Sequence, residues 1–186
     1  KTGYGLDLAA ELKTVAATAA LDRRHAIDLV PTFLGAHAVP PEYKGDPDGY
    51  AALVADVMTP AAAAWYAGSH FARQGVPCFV DVFCERNAFD LAQAQRVLAA
   101  GKAAGLAVKA HVDEFTALGG LDLALELDAV SVDHLDVTTA AGMARLAAAA
   151  AVGVVMPAVN FNLGSTHFAD ARGLIDAGAA IALATD

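Results

Sequence analysis

Seven polar residues stand where apolar runs stop. His37 follows "TFLGA", Glu85 follows "PCFVDVFC", and "LAVKAHVDEF" delivers His111 and Glu114 together. His134 closes "AVSVDH", Asn160 follows "VGVVMPAV", and Asp186 follows "AAIALAT". A core strand can least afford to bury such side chains unpaired, so their placement calls for a shared purpose. Neutral imidazoles with a carboxylate are borderline ligands that suit Zn2+ or Fe2+. A cation held by them, with one position left for water, lowers that water's pKa toward neutrality. The residue types alone therefore lead to a metal-assisted hydrolase or lyase.

The elements that must position these residues alternate. "LDLAAELKTVAATAAL" reads as a helix capped by Asp7, a second helix is expected from about Tyr50 to Phe71, and "DLAQAQRVLAAGKAAG" as one capped by Asp90. "LGGLDLALELD" gives a short helix, "TTAAGMARLAAAAA" one capped by Thr138 or Thr139, and "FADARGLIDAG" a last one. Between them run six strand-like segments with no hairpin turn, which requires a parallel sheet with right-handed crossovers. No strand is followed by G-x-G-x-x-G, so a Rossmann-type sheet is disfavoured. In a (β/α)8 barrel the carboxyl ends of all strands converge on one face, where active sites lie. The expected fold is therefore a TIM barrel, present as a partial barrel of about strands 3–8, with residues 1–186 as one catalytic domain. Six strands cannot close a barrel of eight, and the entry on a Gly-Tyr-Gly loop and the final uncovered strand suggest a piece of a longer polypeptide.

The totals narrow the partners. A formal net charge of −9 over 186 residues, with no cluster of Lys and Arg, argues against nucleic acid. The apolar run "LAAAAAVGVVMPAV" is too short for a bilayer, and "KTGYGLDL" is no signal peptide. Cys78 and Cys84 match no zinc or redox spacing and read as buried, reduced thiols of a cytoplasmic protein. Simpler readings exist for single residues. His37 could cap a loop, Glu85 could pair with Arg86 at the rim, and Asp113 could be a solvated or capping acid. His25, His70 and His167 read as surface residues, and Asn160 and Asn162 as turn residues. Several strand-end ligands on one sheet are hard to explain as independent accidents.

Taken in order, "KTGYGLDL", "TFLGAHAVPPEYKG", "DVFCERNAFD", "VKAHVDE", "SVDHL" and "ALATD" closely resemble the imidazolonepropionase family of the amidohydrolase superfamily. The resemblance implies a (β/α)8 barrel with one zinc or iron ion (Zn2+ or Fe2+/Fe3+) and a small β-sandwich domain built from both chain ends. It implies hydrolytic opening of 4-imidazolone-5-propanoate to N-formimidoyl-L-glutamate in histidine degradation. By motif, His111 and Asp186 look like metal ligands, and Asp186 also like the acceptor of a proton from the attacking water. Glu114 resembles the acid that meets the ring and moves protons. His134 is similar to the histidine that polarises the carbonyl or the water. Tyr4 and His37 look like substrate contacts. Family members are commonly homodimers. The family's first-strand His-x-His pair, its first strands and its sandwich domain are absent from these residues, so the segment alone is expected to have little or no activity. "VNFNLGSTHFADAR" departs from the family's usual seventh-strand loop, which touches any role for Asn160 or Arg172, and "WYAGSHFARQGVP" looks longer than usual. Another cyclic-amide amidohydrolase, and a non-catalytic relic, are the competing readings.

Overall fold

The computed structural model describes all 186 residues. Six strands, β1 (Thr32–Ala36), β2 (Phe79–Cys84), β3 (Ala107–Val112), β4 (Ser131–His134), β5 (Val152–Val155) and β6 (Ile181–Leu183), lie side by side in chain order. Every neighbouring pair is parallel. Helix α1 (Leu8–Asp22) precedes β1. Between β1 and β2 come α2 (Pro47–Leu53), α3 (Thr59–Gly68) and α4 (His70–Gln74). Then α5 (Leu91–Ala103), α6 (Gly120–Glu126) and α7 (Ala140–Ala148) connect successive strands, and α8 (Pro157–Asn162) with α9 (Ala171–Asp176) leads into β6. No helix is long and apolar enough to cross a membrane.

Local chemistry accounts for the helix starts. Asp7, Asp90 and Thr139 each accept a backbone N–H of the first turn, from Ala10, Gln93 and Gly142. Asp90 and Gln93 complete a reciprocal capping box. The helix expected over 50–71 keeps helical backbone from Pro47 to Gly68, through α2, a π turn and α3, and breaks only at Ser69. Pro60 has no N–H and its ring would strike the carbonyl one turn earlier, and the chain widens into a π turn at Val54–Met58 just before it. Ser69, in extended backbone, then restarts the helix as the cap of α4.

The period-two alternation of the strands sorts two faces. Val80, Val82 and Cys84 of β2, Val108, Ala110 and Val112 of β3, and Val132 of β4 face the helices in one continuous core. Helix α5 approaches so closely that a Cβ on Gly101 would lie 2.3 Å from Val80 Cγ1, which is why glycine stands there. The other face is polar. Leu34 of β1, Lys109 and His111 of β3, Asp133 of β4, Val154 of β5 and the end of β6 share one cavity. A first and a last strand that line the same cavity mean the sheet curls, as the expected barrel arc requires. The strands β1 and β6 are not paired with each other. Residues before α1 run along β1, where Thr2 N–H donates to Thr32 O and Leu34 N–H to Thr2 Oγ1.

Candidate active site

The strand ends converge. His111 is 3 % exposed at the end of β3, and its Nε2 lies 3.8 Å from Asp186 Oδ1 beyond β6. One ligand atom each from His111, His134 and Asp186 lies within 4.8 Å of the others. His134 Nε2 in turn faces Glu114 Oε2 at 3.6 Å. Seven non-glycine residues carry positive φ, and four of them, Asp113, His134, Leu135 and Asp186, sit at these strand ends. Such conformations cost of order 1–3 kcal/mol each and persist where surrounding structure holds them, which is common at functional sites.

Two groups below the rim orient His111. Asp81, fully buried on β2, lies 3.0 Å from His111 Nδ1. A carboxylate there fixes the proton on Nδ1 and leaves Nε2 to face Asp186. Lys1 Nζ is 3.1 Å from Asp81 Oδ2 and also contacts Asp133 of β4. Asp81, His111 and Asp133 form a second cluster of ligand-type atoms. The Lys1 ammonium bridges both acids and the His111 ring meets Asp81 as well, so positive groups already occupy that cluster. Burial alone would raise the Asp81 carboxyl, but the charge and hydrogen bond of His111, with Lys1 behind, hold it well below the usual range. Asp81, Asp133 and Lys1 were not singled out from the sequence. The alternation in "FVDVFC" and "SVDH" is the only sign that their side chains share the inner face.

The electrostatics divide the remaining groups. Burial alone would lower the His111 ring, yet the Asp81 charge, the nearby Asp186 carboxylate and the hydrogen bond to Asp81 push it up to about 9. Burial, then the His111 charge, lowers His134 to about 4, leaving it neutral at physiological pH. Burial, then the Asp186 charge, pushes the Glu114 carboxyl up to about 7. The facing His111 ring holds Asp186 below its ordinary value. Two titratable neighbours with divergent proton affinities are the usual mark of acid–base work.

Tyr4 and His37 complete the cavity. Tyr4 is 82 % exposed and meets the His37 ring edge-on, with centroids 5.4 Å apart. His37 Nδ1 is 2.8 Å from the carbonyl of Gly3, so Nδ1 carries the proton and Nε2 is free. Gly3 has φ +104°, and a Cβ there would lie 2.7 Å from Leu34 O, so only glycine fits. The loop carrying Tyr4 is gathered by the buried Glu11 of α1, whose carboxylate accepts the N–H groups of Gly3, Gly5 and Leu6.

Several simple readings are corrected. Glu85 makes no ion pair with Arg86; it is buried and accepts the backbone N–H groups of Arg86, Phe115 and Thr116. Asp113 is not solvated: it is buried just beyond β3, and its carboxylate accepts the Thr138 hydroxyl at 2.8 Å. His70 is not on the surface but packs between helices, 2.7 Å from Asp22. Asn160 is no turn residue: it lies buried in α8 and donates to the carbonyl of His167. Asn162 likewise ends α8. Arg172 pairs with Asp176 on the exposed face of α9, and neither Asn160 nor Arg172 lines the cavity. His25 and His167 are exposed as expected.

The donor set fits one divalent cation. Bonds of about 2.0–2.2 Å from imidazole nitrogen and carboxylate oxygen to a common ion put two ligands at roughly the separation of His111 Nε2 and Asp186 Oδ1. The carboxylates that keep a proton on His111 would equally favour a cation in its place, with proton release. Around such an ion lie a neutral imidazole, a carboxyl that titrates near neutrality, and an open aromatic contact. That arrangement can activate water and move protons at an electrophilic carbon.

No protein-family profile matches the chain. Over all 186 residues it is 59% identical to an imidazolonepropionase of Chloroflexus aggregans, 49% to one of Herpetosiphon aurantiacus and 48% to one of Geobacillus kaustophilus. The chain spans 44%, 43% and 42% of those relatives' lengths. The likeness seen in six motifs is therefore carried by the whole chain. Among solved structures, an amidohydrolase from Burkholderia ambifaria with bound zinc matches 96% of this chain and 47% of its own at TM-score 0.62 and 20% identity. An adenosine deaminase from Xanthomonas campestris with bound zinc matches 90% of this chain and 39% of its own at TM-score 0.59 and 18% identity. Those two likenesses concern the fold alone, and they identify the curled parallel sheet as part of a (β/α)8 barrel.

Proposed function

We propose that the protein containing these residues is an imidazolonepropionase, which opens the ring of 4-imidazolone-5-propanoate with water to give N-formimidoyl-L-glutamate in cytoplasmic histidine breakdown. The observation that carries this reading is the meeting of His111, Asp186, His134 and Glu114 at one cavity mouth in a chain similar throughout to enzymes of that name. His111 and Asp186 would hold a single zinc or iron ion, whose chemistry is to lower the pKa of water and so supply the nucleophile. Asp186, a carboxylate held below its ordinary value, accepts the proton that the water gives up. Glu114, near 7, passes a proton to the departing ring nitrogen at neutral pH. His134, uncharged at that pH, offers a hydrogen bond to the developing oxyanion. Tyr4 and the free Nε2 of His37 meet the substrate on the opposite side of the cavity.

Imidazolone consumption by the parent protein, followed by its ultraviolet absorbance, tests the reading. Turnover of imidazolonepropanoate with one tightly held zinc or iron per chain is expected. Turnover of another cyclic amide without imidazolone would favour a divergent amidohydrolase. The departure of "VNFNLGSTHFADAR" from the family's loop is the feature that keeps this second substrate class in view. A catalytically inert parent that binds no metal would favour the relic. A homodimer is the assembly we expect.

A further inference from the structure

Glu85 directly follows β2 and is 3 % exposed. Its Oε1 accepts the N–H of Arg86 at 2.7 Å, and its Oε2 accepts those of Phe115 and Thr116, each at 2.9 Å. No cation pairs with it; the ten ion pairs of the chain do not include Glu85 or Arg86. Burying a carboxylate is costly unless its lone pairs are filled, and here backbone donors fill them. Two of those donors come from a loop thirty residues away and immediately follow Glu114. The other flank of Glu114 is fixed separately. Asp113 holds φ +54°, its carbonyl accepts the N–H of Val137, and its carboxylate accepts the Thr138 hydroxyl. The backbone around Glu114 is thus tied to the end of β4 on one side and to the end of β2 on the other.

We propose that Glu85 is a positioning residue that acts through Glu114: its buried carboxylate sets the backbone of residues 115–116 and so directs Glu114 toward His134 and Asp186. This rests on Glu114 being the proton-transfer acid of the function proposed above. A side chain that only plugged the core would be served as well by an apolar residue. Glu85 instead spends a buried charge on the two amides next to Glu114.

A double-mutant cycle in the metal-loaded parent protein tests it. Glu85→Gln and Glu85→Asp, the latter drawing the carboxylate back by one methylene, are expected to lower kcat about tenfold or more, because small misplacements of a reacting group are costly. KM and metal content should change little. Introduced into a Glu114→Gln background, the same Glu85 changes should cost nothing further. Equal losses in both backgrounds would show a general structural role and overturn the proposal. Full turnover by Glu114→Gln alone would remove the proton role of Glu114, and this proposal with it. An additive Glu85 effect alongside a crippled Glu114→Gln would leave that role standing. Should neither Glu85 variant fold, amide exchange in the unaltered protein decides. Protection of Phe115 and Thr116 comparable to β3 is expected, and exchange at open-loop rates would sink the clamp.

Discussion

At the scale of single residues, the decisive contacts lie one layer beneath the atoms that would meet substrate. Asp81 holds a proton on His111 Nδ1 and so turns Nε2 toward Asp186, and Lys1 steadies Asp81. Replacing Asp81 with Ala should weaken metal binding by the parent protein about 10–100-fold, as loss of a carboxylate behind a ligating histidine generally does; competition with a chelating dye measures this. Glu114 supplies a pH signature. Its carboxyl stands near 7 in the folded chain against an ordinary 4.5, so between those values the native state keeps a proton that the unfolded chain has lost. That contribution to stability is complete below about 4.5 and fades as pH rises through about 7. In metal-free parent protein, urea midpoints at pH 5 and pH 8 should therefore differ more for the wild type than for Glu114→Gln. Equal pH sensitivity of the two would refute the assignment. The candidate residues themselves were legible because a histidine or acid ending an apolar run is conspicuous. The partners of Glu85 were not, because a carboxylate beside an arginine looks the same in a string whether it meets that arginine or three backbone amides.

At the scale of elements, the local rules held where one segment decides its own fate. The caps at Asp7, Asp90 and Thr139 formed as expected, since a side chain and the N–H three residues on need no distant partner. The helix over 50–71 absorbed Pro60 by widening into a π turn just before it and broke only at Ser69, whose extended backbone restarts it as α4. Packing between elements sets sharper limits. Substituting Ala for Gly101 places a methyl 2.3 Å from Val80 Cγ1 and should cost about 1–3 kcal/mol as overpacking does, read from urea denaturation of the parent protein. The two thiols are sealed by the same helix–sheet interface. Burial pushes Cys78 and Cys84 up to about 12, so neither should react with a disulfide reagent at pH 8 until the protein unfolds. Rapid labelling of the native protein would contradict that packing.

At the scale of the whole molecule, the six strands form an arc whose inner face holds the cavity, while β1 and β6 remain unpaired with each other. Residues 1–186 span 44% of the Chloroflexus aggregans relative, and in the function proposed above His111 with Asp186 would supply two ligands of the metal site. The isolated segment is therefore expected to turn over imidazolonepropanoate at well under the parent's rate and to hold metal weakly, both measurable side by side on equal amounts of protein. The sequence by itself determined the alternation of elements, hence the parallel sheet, and the polar residue at every strand end but that of β5, where Asn160 falls in α8 instead, because periodicity, caps and breakers act over a few neighbouring residues. Only the tertiary structure decided which of those residues meet, that Asp81 and Lys1 stand behind His111, and that Glu85 serves the loop of Glu114. Those pairings join side chains far apart along the chain, and their energies depend on burial and orientation that arise only once the sheet has curled.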